Sequence, residues 1–100
     1  MPLKLFFLPS FERSLKSLCS MQLKTIGKLL EALEAYYTSD CNLEEAKKIA
    51  PRFFYKQLRR PYYEAGVEKD LRIIIRRDKS KCTVILAGNH GQIKTFLKRV

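Results

Sequence analysis

No two cysteines in this sequence are spaced to hold a metal or to staple a small fold. Cys19, Cys41 and Cys82 are odd in number, form no CxxC pair and have no histidine at ligand spacing, which argues against a disulfide framework and a zinc site. They read as reduced thiols, Cys19 and Cys82 in apolar runs where a small hydrophobe packs well and Cys41 in a polar loop. No apolar run approaches the ~20 residues that span a bilayer. The opening Met1–Leu8 is too short and too poorly flanked for a signal peptide. A soluble, cytoplasmic chain with no membrane partner and no metal or other cofactor is the expectation. Repeats and low-complexity segments are also missing, and 100 residues suit one compact domain, residues 1–100, with few apolar side chains to spare for display.

What the second half lacks is negative charge. Residues 51–100 hold 13 Lys and Arg against 4 Asp and Glu, whereas residues 1–50 hold 7 against 6. Basic charge at that density predicts a polyanion partner, nucleic acid above all, because neutralised phosphates release counterions whatever the fold. The stretch Leu71–Val100 concentrates the signal: a basic strand, a polar turn, an apolar strand ending at the only histidine, His90, and a basic amphipathic tail.

The element pattern is that of an α+β domain. Leu3–Leu8 is a short apolar run stopped by Pro9, which suits a largely buried first strand. Ser10 offers an N-cap, with Glu12 well placed for the helix dipole. Phe11, Leu15 and Leu18 then recur at helical spacing, as do Leu23, Ile26, Leu30, Leu33 and Tyr37, with a slip of phase near Cys19–Gln22 that predicts a helical hairpin or a kink. Asn42 and Glu45 have capping-box spacing for a short, peripheral helix Leu43–Ala50 ended by Pro51. Phe53–Leu58, Tyr62–Val67, Leu71–Arg77 and Cys82–Gly88 read as an antiparallel meander, with Gly66 a bulge or turn residue and Glu68–Asp70 and Asp78–Lys81 as links. A period of two places Leu71, Ile73 and Ile75 on the face that packs on the helices. Arg72, Ile74 and Arg76 then share the other face, where arginines are costly unless the surface is wet or holds an anion.

The order of these parts carries a resemblance. YYEAGVEKDLRIIIRRD, TVILAGNH before a basic tail, and the helix opening SFERSLKSL together resemble the RelE/ParE toxin superfamily over nearly the whole chain. The resemblance implies a small α+β fold in which an N-terminal strand and helical hairpin pack on a small antiparallel sheet with a C-terminal basic tail or helix. In the RelE-like branch it implies a metal-independent endoribonuclease that cuts mRNA on the ribosome, held in check by an acidic antitoxin protein. Arg72 looks like that branch's strand arginine at the scissile phosphate, and His90 is similar in position to the basic or histidine residue closing the final strand. Lys56, Arg59 and Arg60 fall where relatives carry basic residues, and Glu64 is similar to an acidic residue some members use. The chain departs from the pattern after His90, where Gly91, Gln92 and Ile93 replace a second basic residue or tyrosine, and Phe96 cannot move protons. The ParE-like branch, which poisons a topoisomerase without nuclease chemistry, and a non-catalytic member that binds nucleic acid or its antitoxin therefore stay open beside the nuclease.

Metal-free cleavage uses the substrate's own 2′-hydroxyl as nucleophile and needs a base, an acid for the departing 5′ oxygen, and cations for the crowded phosphate. Histidine is the side chain suited to proton transfer near neutral pH, which makes His90 the candidate. Arg72 and Arg76 can fork onto phosphate oxygens. Glu64 is either the base or the ion-pair partner of a neighbouring arginine. Tyr55, Tyr62 and Tyr63 alternate with Lys56, Arg59 and Arg60, a mixture able to stack bases while tracking a backbone or, for some of the rings, to fill the core. Lys94, Lys98 and Arg99 surround Ile93, Phe96 and Leu97 at helical spacing, so the tail is expected to be an amphipathic helix or docking arm that adds affinity for RNA.

Overall fold

In a computed structural model describing residues 4–68 and 70–100, nine elements follow in the order β1 Lys4–Phe7, α1 Pro9–Leu15, α2 Ser20–Thr38, α3 Leu43–Ile49, β2 Phe54–Gln57, β3 Tyr62–Glu68, β4 Leu71–Arg77, β5 Lys81–Gly88 and α4 His90–Arg99. Leu3, expected in the first strand, and Lys69, expected in the link after β3, lie outside the described residues. The five strands form one sheet in the order β1-β5-β4-β3-β2. The meander β2 to β5 is antiparallel as expected, but β1 pairs with β5 in parallel, Lys4 opposite Lys81, so the sheet is mixed. Three helices, α1 to α3, intervene between β1 and the meander, and the return to the far edge leaves β1 running alongside β5.

Helices α1, α2 and α3 belong to one core with the sheet, while α4 packs on β4 and β5. Leu71, Ile73 and Ile75 join Phe11, Ile26, Leu29, Leu33 and Tyr37 in that core, as the alternation along β4 predicts. The opposite face is not simply wet. Ile74 is fully buried there beneath α4, with Ile85 and Ile93, and Leu58, Tyr62, Leu86, Phe96 and Leu97 complete this smaller cluster. The tail is thus a helix, with Ile93 inward and Lys94, Lys98 and Arg99 exposed.

The phase slip near Cys19 is a true break: Cys19 caps α2 with its backbone N–H donating to Gln22 Oε1 at 3.0 Å. Cys19 is consequently exposed, against the expectation of an apolar site. Leu23 is also exposed and Leu29 fully buried, because the stripe that meets the sheet runs through positions 26, 29, 33 and 37. Ser10 is not an N-cap. The cap position is Leu8, so the first helix opens at Pro9, and the Ser10 hydroxyl instead donates to the carbonyl of Ile85 at 2.6 Å, docking α1 on β5. Nor is β1 largely buried: Phe6 and Phe7 remain 47% and 44% exposed, because the strand forms an edge of the sheet. The third helix is less peripheral than its polar sequence suggests, since Ala46 and Ala50 enter the core. Its cap is Asn42, whose side chain accepts from the backbone of Glu44 at 3.0 Å.

Between α2 and the sheet a chain of hydroxyl and thiol groups crosses the main core. Tyr37 and Tyr55 share a hydrogen bond of 2.6 Å, and the Cys82 thiol donates to the Tyr37 oxygen at 3.3 Å. Tyr55 stacks on Tyr63, with ring centroids 5.3 Å apart. These two tyrosines are therefore packed inward and do not form a base-stacking surface. Burial pushes the Cys82 thiol up to about 11 and the Tyr55 hydroxyl up to about 12, with Tyr37 raised further for the same reason. The unfolded chain loses these protons first, so their contribution to stability is fully present below pH 9, the ordinary thiol value, and falls as pH rises. Denaturant titrations should show stability declining from about pH 9 to pH 11, and Cys82→Ala should flatten that decline; an unchanged slope would show that the thiol is not titrating against the fold.

Candidate functional site

The sheet face that carries α4 also carries the charges. Cross-strand partners share a face, and two neighbouring rows run across the sheet: Phe54, Gly66, Arg72, Gly88 and then Lys56, Glu64, Ile74, Leu86. Glu64 is 1% exposed and is the buried charged side chain among the described residues. Its Oε1 accepts from Arg72 Nη1 at 3.0 Å and lies 3.2 Å from Lys56 Nζ. A carboxylate removed from water is tolerable only when paired in this way. The two cations differ in exposure, 15% for the Arg72 side chain and 55% for Lys56, so Arg72 is fixed and Lys56 reaches outward.

The same nitrogen, Arg72 Nη1, meets His90 Nδ1 at 3.5 Å. A guanidinium has only donors, so this contact is a hydrogen bond when Nδ1 holds a lone pair and the ring proton sits on Nε2. His90 is the first residue of α4, and its position is set by Asn89. The Asn89 side chain accepts from Gln92 N at 2.9 Å, while Gln92 Oε1 accepts from Asn89 N at 2.8 Å. The exposed imidazole therefore stands at the positive end of a capped helix, beside a fixed arginine. Phe54, which no sequence pattern singled out, lies with its ring 5.3 Å from the Arg72 guanidinium carbon.

Of the residues expected at the site, Lys56, Glu64, Arg72 and His90 come together. Lys94 lies one turn along α4 from His90, on the same side of the helix and exposed. Arg76 does not join them. It is two rows further along β4, past the buried Ile74, and opens on a separate cleft of about 480 Å³ with Tyr62, Thr83 and Phe96. Arg59 serves the fold: its Nη2 donates to the carbonyls of Leu97 and, at 2.9 Å, Val100, closing the end of α4. Arg60 is exposed in the β2–β3 turn, before the cis-proline bond to Pro61. Tyr62 packs edge-on against Phe96, centroids 5.4 Å apart, so it anchors α4. No cluster of three or more His, Cys, Asp or Glu suited to a metal occurs among the described residues, and no described helix is long and apolar enough to cross a membrane.

No family model and no curated protein matches the chain. Solved structures do. The structure of the RelB–RelE antitoxin–toxin complex from Methanococcus jannaschii superposes with a TM-score of 0.64 at 18% identity, covering 91% of this chain and 96% of that one. The DinJ–YafQ toxin–antitoxin complex from E. coli gives 0.67 at 16% identity, covering 93% and 98%. A copper-bound mutant toxin from Helicobacter pylori gives 0.56 at 17%, covering 91% and 98%.

Replacing Glu64 by Gln should leave Arg72 and Lys56 without their shared anion and lower stability by about 1–3 kcal/mol, the usual worth of a charged hydrogen bond and less than for a fully buried pair because Lys56 regains water. In a double-mutant cycle with Arg72→Met, denaturation should return a coupling of about 1 kcal/mol or more; additive losses would mean that the contact contributes nothing specific. With its mixed five-stranded sheet, its helical hairpin on one face and a capped terminal helix on the other, the chain has the α+β fold of the RelE-like toxins.

Proposed function

We propose that this protein is the toxin of a type II toxin–antitoxin pair, and that the centre formed by Arg72, His90, Lys56 and Glu64 cleaves mRNA on the ribosome without a metal. The observation that carries the reading is the Arg72–His90 contact of 3.5 Å: a phosphate-binding cation and a proton-transfer group share one point on a basic face. The fold adds support, because the structures it resembles are toxins solved with their antitoxins. In this reading Arg72 and Lys56 take the scissile phosphate, and the negative charge that builds on it strengthens both contacts in the transition state. A phosphate that draws the Arg72 donors off His90 lets Nδ1 take a proton from solvent; the 2′-hydroxyl then attacks the phosphorus and gives its proton to water, the bond from phosphorus to the 5′ oxygen breaks, and the imidazolium protonates that departing oxygen. Glu64, closed off from solvent, acts as counter-ion and orients the two cations. Lys94 and the exposed Arg60, Lys98 and Arg99 extend the basic surface for RNA, and Arg76 adds to it from its own cleft. An acidic antitoxin segment laid over this face would neutralise the same charges.

A binding-only role draws on one specific observation. Glu64 already pairs with both Arg72 and Lys56 and so weakens their pull on a phosphate, as suits a face that engages a protein target, such as a topoisomerase, or only an antitoxin.

Single-turnover cleavage of mRNA on programmed ribosomes separates the readings. His90→Gln should keep folding and ribosome association and slow cleavage by about 10²- to 10⁴-fold. Arg72→Ala should weaken both binding and cleavage, the latter more. Absence of cleavage by the parent protein, with inhibition of a purified topoisomerase, would decide for the binding role. RNA affinity should fall by roughly 10³-fold or more between 50 and 200 mM salt if about six phosphates are contacted; salt-independent binding would remove the electrostatic argument.

A further inference from the structure

The row that contains Arg72 is unusual in what flanks it. On one side its cross-strand partner is Gly66 and on the other Gly88, so no side chain stands directly opposite it on either neighbouring strand. Neither glycine has a positive φ, so neither is required by backbone conformation. Each leaves a space that a neighbouring side chain fills. A Cβ on Gly66 would lie 2.7 Å from two ring carbons of Phe54 and 3.3 Å from the carbonyl of Leu71. A Cβ on Gly88 would lie 2.5 Å from Gln92 Oε1. The two vacancies are thus filled from further away. Phe54 reaches across Gly66 from β2 and comes under the guanidinium of Arg72, and Gln92 reaches over Gly88 from α4 while it holds the cap that sets His90.

We propose that Phe54 is a positioning residue for Arg72, admitted by Gly66, and that it holds the guanidinium flat so that its hydrogen-bonding edge meets Glu64, His90 and an incoming phosphate. The physical basis is the anisotropy of the group. A guanidinium is weakly hydrated over its faces and binds anions at its edge, so an aromatic ring against a face restricts its rotamers without competing for donors. An aliphatic side chain of similar volume fills the same gap but lacks the quadrupole that attracts the cation. The inference rests on the proposed function for what Arg72 holds, and on the cross-strand geometry alone for how Arg72 is held.

The test has two arms. In ¹⁵N-labelled full-length protein, the Arg72 Nε–H resonance, assigned by its loss in Arg72→Lys, should be displaced upfield by the ring and should move back in Phe54→Leu but not in Phe54→Tyr. Gly66→Ala, which pushes the ring aside, should move it as Phe54→Leu does. Binding of a short single-stranded RNA at low salt supplies the second arm: Phe54→Leu should weaken it by about 3- to 10-fold, the worth of a cation–π contact, and Phe54→Tyr should restore it. In an Arg72→Ala background the same substitution should have no effect. Equal losses in both backgrounds, or an Arg72 resonance indifferent to Phe54→Leu and Gly66→Ala, would overturn the proposal and leave Phe54 as packing. A parent protein that neither binds the RNA nor cleaves mRNA on programmed ribosomes would sink the proposed function while the resonance arm still decides the positioning role.

Discussion

One oxygen of one carboxylate joins the candidate site to the core of the sheet. Glu64 sits on a central strand with almost no contact with water, and its charge is tolerable only because Arg72 and Lys56 converge on Oε1. That requirement fixes the relative register of β2, β3 and β4, since Lys56 faces Glu64 directly and Arg72 lies in the next row. A slip of one residue would turn Glu64 into the apolar core against the helices. The same anion prevents two cations from repelling each other across a face that already bears excess positive charge, so the basic surface and the stability of the sheet are settled together.

The second constraint is α4. It divides the outer face of the sheet by burying Ile74, and so separates two arginines that share one side of a strand. Three fastenings hold it: the reciprocal cap of Asn89 and Gln92 at its start, Ile93 and Phe96 over Ile74, Ile85 and Tyr62 in the middle, and Arg59 on its last carbonyls. The histidine therefore owes its position to a helix start, a rigid feature, although it follows a loop residue in sequence.

Much of this was legible in the residues. The alternation LRIIIRR has one reading once a helical hairpin must be covered, and it put Arg72 on the outer face correctly. The break at Cys19 showed as a slip of helical phase. Other features left no local trace. The parallel pairing of β1 with β5 depends on the return path of the chain, and the covering of Ile74 depends on where the tail docks. Arg59 is as basic in sequence as Lys56, yet one closes a helix and the other borders the site, a distinction of reach that composition does not carry. Phe54 was invisible for a related reason: its significance comes from two glycines on other strands, and only cross-strand register brings them into one row. The tyrosines that alternate with basic residues left two readings open because their period matches both an RNA-stacking face and a core-facing one.

The partnership of Lys4 with Lys81 spans most of the chain. Every residue of the candidate site, from Lys56 to His90, follows β1 in the chain, and β1 closes one edge of the sheet. During translation β1 waits for β5, its partner in the sheet, until the chain has been made as far as Gly88. Contacts at such sequence separation are slow to form because the intervening loop must be closed before they reward it. The sheet edge and the Arg72–His90 centre therefore mature in the same late interval, and the nascent chain carries its basic half without an assembled centre until that interval is reached.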